Sequence, residues 1–390
     1  MRIGYVTTYD VFDSSQWNQE HTGLFTAGRY LAKSLESASL SLDYIGPLQK
    51  KRSPITRAKW LYYRNLYHQD YYSWTEPFIL KHYAQQIEKK LSTLNIDLIL
   101  TPENVIPIAY LKAKQPIVLY TDAGIGNLLN FYPYLSNLCQ ETIDKLYDLE
   151  KKAIDNCELV IYTSDWAAQQ VIKLYNINPA KVKVVPWGAT IECERTKNDI
   201  QKIIESRPPS PCKLLFLGFD WHRKGGDIAL EVTKQLNKNG FKTELIVVGA
   251  KPPHQEQLPD FVKIIGKIDK SHPEGKHKLD QILANSHFLI LPTKAETYGL
   301  VFCEANSFGV PCIASDIGGI TTVIQDGSNG KKFSLSAQIS DYCQFITTLM
   351  DNYEEYKKLA FSSFQEYESR LNWTMAAQTL KRMMVEIISS

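Results

Sequence analysis

The stretch 212–250, CKLLFLGFDWHRKGGDIALEVTKQLNKNGFKTELIVVGA, decides the fold. CKLLFLGFD (212–220) is an apolar run of strand length, and GGDIALEVTKQLNKNG (225–240) has helical periodicity and stops at glycine. KTELIVVGA (242–250) is again a strand, rich in β-branched residues. Strand, helix and strand in this order form a unit whose strands lie parallel.

The pattern extends in both directions. VKIIGKI (262–268), HFLILPT (287–293) and VPCIASDIGG (310–319) read as further strands, with KLDQILANS (278–286) as a helix. Earlier in the chain, RIGYVTT (2–8), LDYIGPL (42–48), IDLILTP (96–102), QPIVLYTDAG (115–124), the start of ELVIYTSDWAAQQVIKLYN (158–176) and KVKVVPWGAT (181–190) read as strands. GRYLAKSLES (28–37), YAQQIEKKLSTLN (83–95) and LYDLEKKAIDNC (146–157) read as helices. The expectation is an α/β protein of two doubly wound parallel sheets, with helices on both faces of each. Residues 191–211, IECERTKNDIQKIIESRPPSP, are polar and end in Pro and Ser, so they read as a linker. In doubly wound sheets ligands bind at the carboxyl ends of the strands, and two such edges facing each other make one cleft.

At 390 residues the chain is long enough for two cores. A net charge of +2 argues against bulk nucleic-acid binding. Seven cysteines without a C-x-x-C pair suit a reducing cytosol, and point to neither a disulfide framework nor a zinc site. The first ten residues, MRIGYVTTYD, read as a strand and not as a signal peptide. No run of about 18 apolar residues is present, so membrane contact is expected to be peripheral.

Three stretches carry chemistry. In LLFLGFDWHRKGGD (214–227), Arg223 and Lys224 follow a strand and precede a helix. Cations there oppose the helix dipole, so they suit a bound diphosphate better than helix stability. In KAETYGLVFCEANSFG (294–309), Glu296 precedes a helix start and Glu304 lies within it, with Gly299 between them. The amides from Tyr298 to Val301, through Gly299 and Leu300, face an anion or sugar hydroxyls, and Glu304 accepts from ribose. The plainer alternative for both glutamates is charge set against the helix dipole, about 0.3–1 kcal/mol each. In the first half, EHTGLFTAGRYLAKSLE (20–36) offers Thr22 and Gly23 to phosphate, and YTDAG (120–124) places Asp122 at a strand tip. An aspartate that merely forms a turn is the alternative for Asp122.

Taken together, FLGFDWHRKGGD, the pair Glu296/Glu304 within ETYGLVFCEANSFGVPCIAS, and GGITTVIQDGSNG (318–330) resemble the retaining glycosyltransferases of family 4. The resemblance spans roughly residues 212–330 and, more narrowly, is to cyanobacterial envelope-polysaccharide glucosyltransferases. It implies the GT-B fold, with two facing Rossmann-like domains and a cleft between them. The first and acceptor-binding domain is 1–190 plus 372–390, the linker 191–211, and the donor-binding domain 212–371. It implies a metal-independent transfer of a hexose, glucose from UDP-glucose, to a glycan or polyprenyl-diphosphate-linked glycan in cell-envelope polysaccharide synthesis. No cofactor is expected beyond this nucleotide-sugar co-substrate. Asp122, Arg223, Lys224 and Glu296 take the catalytic roles. Thr22, Gly23, Lys267, Ile268, Tyr298, Gly299, Leu300, Val301 and Glu304 join Arg223, Lys224 and Glu296 in holding the donor, with Lys267 and Ile268 as the base slot. Asp122 stands where the family has histidine, Trp187 where it has asparagine, and Thr321-Thr322 where it has Pro-Glu.

The segment KKRSPITRAKWLYYRNLYHQDYYSW (50–74) holds six Lys/Arg and seven Trp/Tyr, which suits sugar stacking, a lipid phosphate or an anionic membrane. A cytoplasmic protein at the inner face of the plasma membrane follows as the expectation. A nucleotide-sugar epimerase on the same fold, or an inactive nucleotide-sugar-binding protein, are the alternatives.

Overall fold

The computed structural model describes residues 1–17, 22–102, 104–253 and 255–389. The chain forms two compact units, Met1–Trp187 with Trp373–Ser390, and Gly188–Asn372.

The first unit holds strands β1 (Arg2–Val6), β2 (Ser41–Ile45), β3 (Leu98–Thr101), β4 (Ile117–Thr121), β5 (Leu159–Tyr162) and β6 (Val182–Val184). They form one sheet in the order β2-β1-β3-β4-β5-β6, all parallel. The central strands β3, β4 and β5 are buried along their whole length, as a sheet covered on both faces requires. The last helix, Trp373–Ser389, packs on the helix Thr22–Ser37 of this unit. Trp187 is buried where the unit ends, its ring 6.2 Å from those of Tyr120 and Trp373.

The second unit holds β7 (Cys212–Gly218), β8 (Thr243–Gly249), β9 (Val262–Gly266), β10 (Phe288–Leu291), β11 (Cys312–Ser315) and β12 (Gly330–Phe333). Their order is β12-β11-β10-β7-β8-β9, again all parallel. Counted within the unit this is 3-2-1-4-5-6, so the order reverses between β7 and β10. In such sheets the loops leaving the two strands at that point diverge and open a crevice for ligand.

Several expectations need correction. The stretch 191–211 is not a linker but part of the second unit. It contains the helix Lys197–Ser206, started by a capping box of Thr196 and Asp199 and burying Ile200 and Ile204. Arg207 follows, 2% exposed, and donates to the carbonyls of Ala284, Phe308 and Gly309 and to the Tyr356 hydroxyl. The helix expected at 28–37 is already formed at Thr22, running Thr22–Ser37 among the described residues, so Thr22 and Gly23 are helical and not in a loop. Residues 18–21, which include Glu20 and His21 of the expected loop, lie outside the described residues. The helix around 83–95 is Pro77–Leu91, because Pro77 at its first turn is tolerated there.

Candidate functional site

Three loops of the second unit meet at the strand-order reversal. The loop after β7 is tied to the loop after β10 by hydrogen bonds to main-chain carbonyls. The Arg223 carbonyl accepts from the Lys294 amide at 2.8 Å and from the Thr293 hydroxyl at 3.0 Å. Arg223 Nη1 donates back to the Ala295 carbonyl at 2.9 Å. Gly225 closes the turn at φ 79°, and a Cβ there would lie 2.0 Å from the Pro292 carbonyl oxygen. Only glycine permits both that backbone and that approach. The third loop, after β11, joins through the Gly319 amide, which donates to the Glu296 carbonyl at 3.2 Å.

Lys224 and Glu296 form an ion pair in this junction, with side chains only 13% and 9% exposed. The sequence-level picture of open cations awaiting an anion is thus incomplete, because Lys224 already has a carboxylate partner. Arg223 pairs with Asp220, 3.4 Å away. Behind them, Asp227 opens the helix Gly226–Lys238. Burial pushes its carboxyl up, but hydrogen bonds from Trp221 and His222 outweigh this and hold it below the usual range.

Glu304 lies in the short helix Leu300–Asn306 and is 2% exposed. Its Oε1 accepts from Thr190 Oγ1 at 2.5 Å and from Lys270 Nζ at 2.8 Å. Buried carboxylates need such partners. Sequence reasoning missed both, since Thr190 and Lys270 lie 114 and 34 residues away. Lys270 ties the loop that carries Lys267 and Ile268 to Glu304. It leaves the loop after β9 two residues beyond the half-buried Ile268, with Lys267 exposed. Gly299 has φ 91° and caps the Leu300–Asn306 helix. The Tyr298 side chain is buried with its hydroxyl on Cys303, so only its main chain is available to a ligand. Leu300 and Val301 are half-buried in the first turn. Thr321 and Thr322, the departures from Pro-Glu, serve local packing: the Thr321 hydroxyl donates to Gly318, and the Thr322 carbonyl accepts from Arg370.

In the first unit, Asp122 sits half-buried at the tip of β4, its carbonyl accepting from the Thr163 hydroxyl at 3.1 Å. The next turn is fixed by Glu150, which sequence reasoning also missed. Its carboxylate accepts from the Ile125 amide at 2.7 Å and the Tyr175 hydroxyl at 2.7 Å. Burial raises its pKa. A signal was present: Leu146, Leu149, Glu150 and Ala153 share the buried face of one helix, so a charged residue stood on an apolar stripe. Among the described residues nothing stands within 4 Å of where a Cβ on Gly23 would lie.

Residues 211–352 match the family model described as Glycosyl transferases group 1. The chain is 25% identical over 241 residues to D-inositol 3-phosphate glycosyltransferase 2 of Catenulispora acidiphila, covering 58% of this chain and 56% of that one. It is 26% identical over 190 residues to the D-inositol 3-phosphate glycosyltransferase of Mycobacterium marinum, covering 46% of this chain and 40% of that one. The chain thus spans about half the length of the curated relatives it matches. Among solved structures, sucrose-phosphate synthase from Thermosynechococcus elongatus superposes with a TM-score of 0.68 at 16% identity, over 100% of this chain and 99% of that one. Anabaena Alr3699/HepE, solved in complex with UDP-glucose, superposes with a TM-score of 0.61 at 16% identity, over 99% and 100% of the two chains. The two sheets and these likenesses agree: the chain has the two-domain α/β GT-B fold, and its residues 211–352 match the group 1 glycosyl transferase family model.

Proposed function

We propose that this chain is a retaining glycosyltransferase that moves a hexose, glucose from UDP-glucose, onto a hydroxyl of a glycan or polyprenyl-diphosphate-linked glycan. The observation that carries the reading is the convergence of the loops after β7, β10 and β11 at the strand-order reversal, with Lys224, Arg223 and Glu296 at their junction. The UDP-glucose named with the Anabaena structure supports this choice of donor.

In this reading the bond from sugar C1 to the diphosphate oxygen breaks, and a bond from C1 to the acceptor oxygen forms on the same face. The acceptor proton passes to the departing diphosphate, so no enzyme carboxylate forms a glycosyl intermediate. Arg223 and Lys224 offset the charge that grows on the leaving group, a contribution worth about 3–4 kcal/mol per donor in comparable sites. Glu296 and the main chain of Tyr298, Gly299, Leu300 and Val301 hold the sugar and phosphates. Glu304, oriented by Thr190 and Lys270 through Oε1, offers Oε2 to the ribose. The main chain of Lys267 and Ile268 holds the base. Asp122, Thr22 and Gly23 complete the set proposed to act on the donor sugar and its phosphates. For Gly23 the support is that no described residue packs where its Cβ would lie. No metal enters the reaction, and the protein works in the cytoplasm in envelope polysaccharide synthesis.

The names of the curated relatives favour a second acceptor class, a polyol phosphate, with the same donor chemistry. Thermal unfolding in the presence of UDP-, GDP- and ADP-sugars tests the donor. A specific donor at a hundredfold excess over its dissociation constant stabilises by about 2.7 kcal/mol, and no response to any of them refutes the reading. Hydrolysis of the donor by K224A and E296A at the wild-type rate would do so too. Conversion of the donor without an acceptor would favour an epimerase.

A further inference from the structure

The helix Pro54–Tyr62, continued by one wider turn at Tyr63–Tyr67, is built inside out. A helix at a protein surface ordinarily turns its apolar stripe inward. Here the only buried residue of Pro54–Tyr62 is Thr56. An ionic network and one ring contact hold it to the body: Lys59 Nζ lies 3.0 Å from Glu76 and 2.5 Å from Glu141, the Tyr63 hydroxyl donates to Glu141 at 2.9 Å, and the Tyr63 ring stacks on the buried Tyr71 with centroids 5.7 Å apart. Lys145 pairs with the same two glutamates, closing the network beneath the helix. The apolar side chains face out. Ile55, Trp60, Leu61, Tyr62, Leu66 and Tyr67 are 39–68% exposed. They are six of the fourteen exposed large hydrophobics among the described residues, which makes this a patch and not scatter.

We infer that this patch docks the protein on an anionic lipid bilayer. The charge around it selects the occupant. Lys50, Lys51, Arg52, Arg57 and Arg64 are exposed beside the apolar residues, and the Arg64 guanidinium lies 4.7 Å from the Trp60 ring. A second copy of the chain, meeting this one across a two-fold axis, would set these cations against themselves. An anionic headgroup layer meets them with opposite charge, and Ile and Leu enter the acyl boundary while Trp and Tyr stay at headgroup level. The attachment is peripheral, since no helix among the described residues is long and apolar enough to cross a membrane. The inference does not depend on the donor site, which is built from other segments.

The test is flotation of the full chain with vesicles of phosphatidylcholine alone, or of phosphatidylcholine mixed with phosphatidylglycerol. Wild type should float with the mixed vesicles, less so as salt rises, and far less with the neutral ones. R52S/R57S/R64S should lower partitioning about a hundredfold, from roughly fivefold per cation. L61S/L66S/Y67S should release the protein with the charges intact. Wild-type melting temperatures of both variants without ligand show that they are folded, and keep failure here separate from failure of the donor reading. Absence of flotation, equal flotation with both vesicles, or flotation unchanged in either variant overturns the inference. A dimer abolished by L61S/L66S/Y67S, without vesicle binding, assigns the patch to a second copy instead.

Discussion

Replacing Lys224 or Glu296 by methionine tests whether their ion pair is both structural and functional. Each side chain is about nine-tenths buried, so removing one partner strands the other charge away from water. That costs about 3 kcal/mol or more. For a unit of this size about 2–4 °C accompanies each kcal/mol, so K224M and E296M should each lower the melting temperature by roughly 6–12 °C. K224M/E296M removes both charges at similar volume and should recover most of the loss. Differential scanning calorimetry of the four proteins, with and without UDP, reads both effects. The double variant should be stable yet unresponsive to UDP, because the cation is gone. Single variants within about 1 °C of wild type would refute the buried pair, and a normal UDP response in K224M/E296M would refute its place in the donor site.

Other outcomes follow from single contacts. G23A should stabilise the first helix by about 0.5–1 kcal/mol, since no described residue stands where its Cβ would go, while slowing turnover; a stabilised variant with wild-type kinetics removes Gly23 from the site. G225A should destabilise the second unit, as its Cβ would meet the Pro292 carbonyl, and should abolish the UDP response; unchanged melting and UDP binding would contradict the loop geometry. K270M should narrow the preference for UDP-glucose over its 2′-deoxyribose analogue, with K270R restoring it; an unaltered ratio would show that Lys270 does not orient Glu304 toward ribose. His287 is neutral in the fold: burial first, then Arg207, push its pKa down to about 4, and its Nδ1 accepts from the Lys213 amide. The unfolded chain therefore binds the extra proton first on acidification. Stability should be full above about pH 6.5 and fall by up to roughly 3 kcal/mol as pH drops to 4, and denaturant titrations of H287Q should show a flatter slope.

The strands of both sheets were legible because their residues are apolar, β-branched and bounded by turn formers. β12, GKKF, was not, because a short edge strand carrying two lysines looks like a loop, and such charge is how sheet edges resist further pairing. The supposed linker misled because only one narrow face of its helix is apolar, Ile200 and Ile204 on one side and charge on the other. Within the site, the loops at 218–225 and 293–299 were legible from glycines and cations at strand ends. Their partners were not. Nothing local joins Lys224 to Glu296 or Lys270 to Glu304, and a buried Arg207 bonded to three carbonyls leaves no pattern in sequence.

The pairing of Lys224 also orders the events of binding. Arg223 faces Asp220 and Lys224 faces Glu296, so the junction has no surplus positive charge to attract a diphosphate. The expected order is that the diphosphate of a donor takes the place of Glu296 on Lys224. The exchange then frees the Glu296 carboxylate for the hydroxyls of the sugar, which a nucleotide without sugar does not supply. UDP alone should accordingly bind E296M more tightly than wild type, because the diphosphate restores a partner to a stranded cation. If roughly half of the 3 kcal/mol stranding cost is recovered, the gain is about tenfold in affinity. UDP-glucose should gain less, having lost its sugar contact, so its advantage over UDP should shrink in the variant. Isothermal titration of both ligands against both proteins measures the four affinities. Weaker UDP binding to E296M than to wild type would mean that Glu296 supports the phosphates and does not compete for Lys224, and the exchange would be wrong.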